Sequence, residues 1–578
     1  MKEELRQRVL ASPYGRLMAL YLPEASYTTH PYKRPGIGNI EELDAATVDD
    51  VRAFHQTYYR PDNAALIVVG NFEQAKLDAW VDKYFAGLKN PAKPLPKVAV
   101  KEPPRTKAGV FDGYGPNVPL PAVVLSWQGA AASDKDAPAL KVLDAILSAG
   151  KSSRLYNSLV YDKQIAAEAF SNADLPHDPG MFMVGAIMAS GHTIDQGEAG
   201  LLAEVKRLRD APPSAAELAE AKNELLAGAL RERETIEGRA SAIGYALRVD
   251  GDPERVNTEL AALQAVTAAD IQRVATRYLA ENRRMTIRYR PESERPKGEA
   301  RPKPPVPPKT VATYKGPVFA LAPEAQRQKP PPVAEPVQPV LPKPAEKTLP
   351  NGLRVIVARS SDLPLVTADM TVKTGAWADP QGLSGAATMM AGMLTEGTKT
   401  RSAQEIASQT ESLGASLSSG GGLESSSVTL NAMPDKLKAA MAIMADVVRN
   451  PAFAAEELDR QREQALDGLR VAYEQPGQVA GFAIAPVIFG GTPFGHAPQG
   501  TPDSLTRLKP ADLSALHSTW FRPDNAILVL TGDISAEDGF ALAEQAFGDW
   551  ARPATPLPAT PAIAPQAKPR AIGLDIPG

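Results

Sequence analysis

In residues 47–59, TVDDVRAFHQTYY, apolar and aromatic positions recur three and four apart, the spacing of one helix face. Thr47 with Asp50 three residues on has the form of a capping box, which predicts a helix start there. An Arg-Pro-Asp-Asn turn follows at 60–63, then the apolar run AALIVVG at 64–70, read as a strand ending in glycine. A further helix is expected in EQAKLDAWVDKYFAGL. Residues 118–291 continue the rhythm with strands in PAVVLSWQ, GMFMVGAIMA and RMTIRYRPE and a helix in APALKVLDAILSA. Two long amphipathic helices are predicted in SAAELAEAKNELLAGALRERE and TAADIQRVATRYLAEN.

The pattern then repeats. FHQTYYRPDNAALIVVGNF at 54–72 matches LHSTWFRPDNAILVLTGDI at 516–534, with five identical residues from Arg60 to Ala64 and from Arg522 to Ala526. The offset of 462 holds back to Gly38 and Gly500. Between the copies, residues 295–347 are so rich in proline that helix interiors and central strands are excluded, and a polyproline-like tether is expected. Helices alternating with strands in duplicated units predict an α+β fold.

Charge and composition narrow the classes of function. With 63 basic and 67 acidic residues the net charge is −4, and no Lys/Arg cluster offers a footprint for nucleic acid. The absence of cysteine excludes disulfide scaffolds, thiol nucleophiles and thiolate metal sites, and leaves the compartment open. MKEELRQRVL has no apolar segment after its charges, so no signal peptide is read there, and no run of about 18 apolar residues offers a membrane span.

The repeat resembles the pitrilysin/insulinase family of zinc metallopeptidases, which also includes mitochondrial processing peptidase and its non-catalytic relatives. The residues that carry the resemblance are His30-Pro-Tyr, Ile37-Gly38, Tyr58-Tyr-Arg-Pro-Asp-Asn-Ala64, Val68-Val-Gly-Asn-Phe72 and the opening strand Leu349-Pro-Asn-Gly-Leu-Arg-Val355. It implies α+β modules, each a mixed, mostly antiparallel sheet with helices on one face. It further implies an enclosed chamber in which a peptide or unfolded polypeptide substrate adds to a sheet edge. Family members bind zinc through an inverted His-x-x-Glu-His on a helix and a glutamate from a later helix, with the first glutamate as base. Bacterial multi-module members favour a periplasmic location.

Measured against that motif, Thr388, Ala391 and Gly392 stand where His, Glu and His are expected, and Gly468, 80 residues after Thr388, stands at the third ligand. The resemblance therefore implies that this half does not hold zinc. MKEELRQRVLASPYG matches the usual surroundings of the third ligand, and aligning it on ALDGLRV puts Glu4 on Gly468. Glu4 is thus the candidate metal ligand; ordinary surface charge on a helix is the other reading of Glu3 and Glu4. No two of the six histidines lie three to five apart, so no local zinc pair exists, and no catalytic residue is assigned. His55 and His517, equivalent in the repeat, are expected to share a structural role.

The expected organisation is a rear part of a first, catalytic-type module at 1–104, a second module at 105–294, the tether at 295–347, a third module at 348–555 and the start of a fourth at 556–578. Val160 and Ala167 occupy positions where the family's last module carries an Arg and a Tyr that hold substrate, so this copy is not expected to be the clamp, and the substrate-binding residues stay unassigned. The glycines in SSGGGLESSSVTLNA are read as an ordinary turn. The function expected is that of a zinc-dependent metalloendopeptidase family member, inactive as this chain alone. The alternatives are a non-catalytic subunit or peptide-binding scaffold that pairs with a complementing subunit of the same family.

Overall fold

The structure, a computed structural model, describes residues 1–298, 322–327, 329, 332–333, 335, 343–361, 363–559 and 571–575. Most of the expected tether, and residues 560–570 and 576–578 of the expected fourth module, lie outside the described residues.

In the second module Gly109–Gly115 (β1), Ala122–Gln128 (β2), Ala166–Asp174 (β3), Met181–Met188 (β4) and Met285–Pro291 (β5) form a sheet in the order β1-β5-β2-β4-β3. Only β1 and β5 run parallel. On one face Val123, Leu125 and Trp127 join a core with the helices Ala137–Ser148, Ile194–Asp210 and Ala268–Tyr278. On the other, Ala122 and Val124 meet Leu17 and Leu22, from the helical stretch 17–26 of the first module. Burial on both sides explains why β2 reads as a nearly continuous apolar run instead of an alternation, interrupted by Ser126, whose hydroxyl is paired with that of Ser26. Each large aliphatic side chain so buried contributes about 2 kcal/mol. Capping boxes at Ser214 and Thr267 start the two predicted long helices, Ala215–Glu232 and Ala268–Tyr278.

The third module places Ala345–Thr348 (β6), Arg354–Arg359 (β7), Val366–Val372 (β8), Ser416–Gly421 (β9), Ser426–Ala432 (β10) and Ala526–Gly532 (β11) in the order β6-β7-β11-β8-β10-β9. β11 lies between β7, parallel to it, and β8, antiparallel. β8 and β10 alternate buried and half-buried residues, and their buried side joins the core that includes the helix Leu437–Arg449.

The repeat is visible element by element. Helices Ile40–Ala45, Val48–Tyr58 and Gln74–Phe85 recur as Pro502–Arg507, Pro510–Trp520 and Ala536–Phe547, every boundary displaced by 462. The shared Arg-Pro-Asp-Asn has a physical cause. Arg60 donates through Nε and Nη2 to the Asp62 carboxylate and through Nη1 to Lys93 O at 2.7 Å; Arg522 does the same to Asp524 and to Thr555 O at 2.8 Å. Both guanidinium groups are buried, so the fork ties the turn to the segment after the following helix. Asn63 and Asn525 each donate to the last helical residue's carbonyl, Tyr58 O and Trp520 O.

One expectation fails. The run 64–70 is in no sheet, and Leu66 is 59% exposed where its counterpart Leu528 is 0%. The pattern was strand-like because AALIVVG is a short apolar run from a turn to a glycine, matching AILVLTG at 526–532. Counterparts of β7 and β8, which give β11 its ladder, are missing among residues 1–104, so among the described residues the segment has no strand to pair with.

Candidate functional site

The ligand-motif positions of the third module sit on the helix Ala386–Gly392, which is packed under β9. A Cβ at Gly421 would lie 3.0 Å from Thr388 Cα, so glycine permits the close approach of β9 to this helix. Here the sequence reading needs correction: Gly420 and Gly421 belong to an edge strand, and only residues 422–425 turn. Asp379 accepts from Gly385 N–H and Ala387 N–H, both at 2.7 Å, and so satisfies two of the orphan donors at the helix start. His496 Nε2 pairs with the same carboxylate at 3.0 Å, and that hydrogen bond holds the imidazole above its usual range.

At the ligand positions themselves no metal donor is found. Thr388 spends its hydroxyl on Pro498 O at 2.7 Å, Ala391 is buried, and Gly392 and Gly468 face open space. These residues do not fit a zinc ion. Among the described residues no group of three His, Cys, Asp or Glu side chains is placed to hold a metal.

Glu4 lies on the short helix Lys2–Leu5, continued by a π-helical turn at Arg6–Leu10. Its carboxylate is partly exposed and pairs with Arg8 at 3.3 Å, one turn on. Lys2 pairs with Asp44 on the helix Ile40–Ala45. The helix carrying Gly468, Ala455–Tyr473, likewise neighbours Pro502–Arg507, the counterpart of Ile40–Ala45.

The second and third modules meet at a polar cleft of about 170 Å³, lined by Val160, Ala167, His192, Arg460 and Asp467 among others. The structure thus brings the clamp-equivalent positions, Val160 and Ala167, against the helix of the third-ligand position. Asp467 Oδ2 accepts from Ser190 N–H at 3.1 Å across the cleft.

Beside it lies an ion network that sequence reasoning missed. Glu396, 2% exposed at its side chain, binds Lys151 of the second module through one carboxylate oxygen and Arg460 of its own module through the other. Arg460 also donates to Glu457 at 2.6 Å and lies over the Tyr161 ring, 4.6 Å from its centroid. Tyr161 donates to Glu457 at 2.6 Å. Burial pushes the Glu396 carboxyl up, but Lys151 and Arg460 outweigh it and hold the group below the usual carboxylate range. A second contact joins Glu220 of the second module and Glu411 of the third, with the Ser152 hydroxyl within reach of both. There burial first, and the Glu411 charge second, raise Glu220 to about 7. No local motif signals either contact, because their members lie far apart in the chain.

The two sheets, each packed with helices, define the class, an α+β scaffold. The chain belongs to peptidase family M16: the model described as "Insulinase (Peptidase family M16)" matches residues 354–492, and that described as "Peptidase M16 inactive domain" matches 45–225 and 507–576. It is similar to the zinc protease PqqE of Helicobacter pylori, 30% identical over 293 residues, covering 50% of this chain and 65% of the relative. It is also similar to a probable mitochondrial-processing peptidase subunit beta of Schizosaccharomyces pombe, 27% identical, covering 41% of this chain and 51% of the relative. The crystal structure of a protease from Helicobacter pylori matches at a TM-score of 0.48 and 28% identity, covering 50% of this chain and 70% of that one. The chain thus spans about half to two thirds of the length of these relatives.

Proposed function

We propose that this chain is the non-catalytic body of a zinc-dependent metalloendopeptidase that degrades or processes peptides in an enclosed chamber, and that it does not hydrolyse peptides alone. The observation that carries this reading is the third module, which keeps the family's helix and edge strand while Thr388, Ala391, Gly392 and Gly468 supply no metal donor. In this reading Glu4 is the third ligand of a zinc site whose His-x-x-Glu-His helix comes from outside these residues. Peptide or unfolded polypeptide is the substrate, and β9, paired with β10 alone among the described residues, offers an edge to an extended chain. Family resemblance adds a periplasmic location, which cell fractionation checks.

The test is to purify the chain alone and together with a family polypeptide that carries His-x-x-Glu-His, and to measure zinc per complex and cleavage of an unfolded substrate. The expected result is no zinc and no cleavage alone, and both in the complex, with Glu4→Gln removing the zinc. Unchanged metal content in Glu4→Gln would sink the ligand assignment, and cleavage by the chain alone would sink the whole reading. The same donor-free helix also supports a second reading, a natural non-catalytic subunit. Its signature is a defined hetero-oligomer in native extracts whose activity follows the partner.

A further inference from the structure

The first module presents an apolar face that its own repeat shows how to cover. Phe54, Tyr59, Leu66, Val68 and Phe85 are all exposed, whereas Leu516, Phe521, Leu528, Leu530 and Phe547 at the equivalent positions are buried. Ile67, on the opposite side of the segment, packs on the helix Ile236–Asp250, 3.1 Å from where a Cβ at Gly244 would lie. The segment is therefore seated on one side and bare on the other. No ladder hydrogen bond reaches 64–70 among the described residues, so both its edges offer N–H and C=O groups.

We propose that this face is a docking surface for a polypeptide segment, from outside these residues, that folds as 345–432 does in the third module. The segment sets one strand parallel and one antiparallel against the two edges of 64–70. The proposal rests on reading residues 1–104 as the rear of a module, and it does not depend on zinc. The geometry comes from the covered copy, where Leu528 stands opposite Val355 of β7 and Met370 of β8, and Leu530 opposite Val357 and Ala368. Carried over by 462 residues, Leu66 and Val68 take those places. A second copy of this chain is a poor occupant, because its β7 and β8 already hold its own β11.

The chain has no cysteine, so a single introduced thiol reports on one position. Leu66→Cys is treated with a maleimide with and without a synthetic peptide of residues 345–374, which contains no histidine and so leaves metal out of the result. Val110→Cys, on the exposed part of β1, and Ala526→Cys, buried in β11, serve as references. The expected result is fast labelling at position 66 without peptide, slowed about tenfold or more at saturating peptide, with the amides of 65–69 gaining exchange protection and both references unaffected by peptide. Labelling at 66 that saturating peptide does not slow overturns the proposal, as does equal slowing at 110. Protection that grows with chain concentration without peptide also overturns it, in favour of self-association. Protection at 66 alongside a Glu4→Gln complex that keeps its zinc would retain the surface and discard the ligand assignment.

Discussion

Residues 54–72 and 516–534 share a helix, a turn and a buried arginine fork, yet only the second stretch carries a paired strand and a dry core. The features they share are local. The fork links Arg60 to Asp62 and to Pro91 and Lys93, and Arg522 to Asp524, Pro553 and Thr555, so each copy can make it unaided. The features that differ come from afar, since β11 is built by β7 and β8, more than 150 residues earlier in the chain. A strand is a partnership, and an apolar run alone does not make one.

The widest separation between the copies should appear at their core residues. Leu528→Ala removes a fully buried side chain and is expected to destabilise the third module by about 3 kcal/mol, whereas Leu66→Ala in the isolated chain should cost under about 0.5 kcal/mol. Urea unfolding followed by the fluorescence of Trp377 and Trp520, whose rings lie 5.1 Å apart in the third module, checks the first value. A similar loss from both substitutions would mean that 64–70 is covered in solution.

A smaller separation is expected at the fork. Arg522→Ala leaves Asp524 largely buried beside unmatched carbonyls and should cost about 2 kcal/mol by the same measurement. Arg60→Ala should instead act locally, raising protease sensitivity around 60–63 while leaving the main unfolding transition in place.

The finest contrast is in pH. His517 stacks on Phe521, and its Nε2 donates to Val448 O at 2.9 Å. Burial holds this imidazole below its ordinary range. On acidification the unfolded chain takes up a proton at this site before the folded chain does, so stability present above the ordinary histidine value is lost as pH falls through and below it. His517→Gln should flatten the melting-temperature profile between about pH 7 and 5, with His55→Gln, at the exposed equivalent, as the control. A slope that survives His517→Gln would assign it to other groups.

What could be read from sequence follows the same division between local and distant. Thr47 and Asp50 announced a helix start because both halves of the capping box lie within one turn, and the structure has both hydrogen bonds. PAVVLSWQ was legible as a strand, but its two buried faces were not, because one cover comes from Leu17 and Leu22. β3 escaped notice because AAEAFSNAD, at a sheet edge, shows no clean period. At the candidate site the missing donors were legible from Thr388 to Gly468 by position alone. The Lys151–Glu396 contact, 245 residues apart, was not, and neither was the approach of Val160 and Ala167 to the helix of Gly468.

The ion network between the modules also bears on how the molecule assembles. Lys151 and Tyr161 arrive from one side, and Glu396, Glu457 and Arg460 from the other, so before docking the third module's surface holds one surplus negative charge and the second module's one positive. Arg460 can engage both glutamates while its module folds alone, leaving the second oxygen of Glu396 for the lysine. Seating the modules out of place would leave that carboxylate desolvated without its counter-charge, at a cost of several kcal/mol. Correct alignment is thereby checked by charge cancellation at the last step, after each half has reached its own shape.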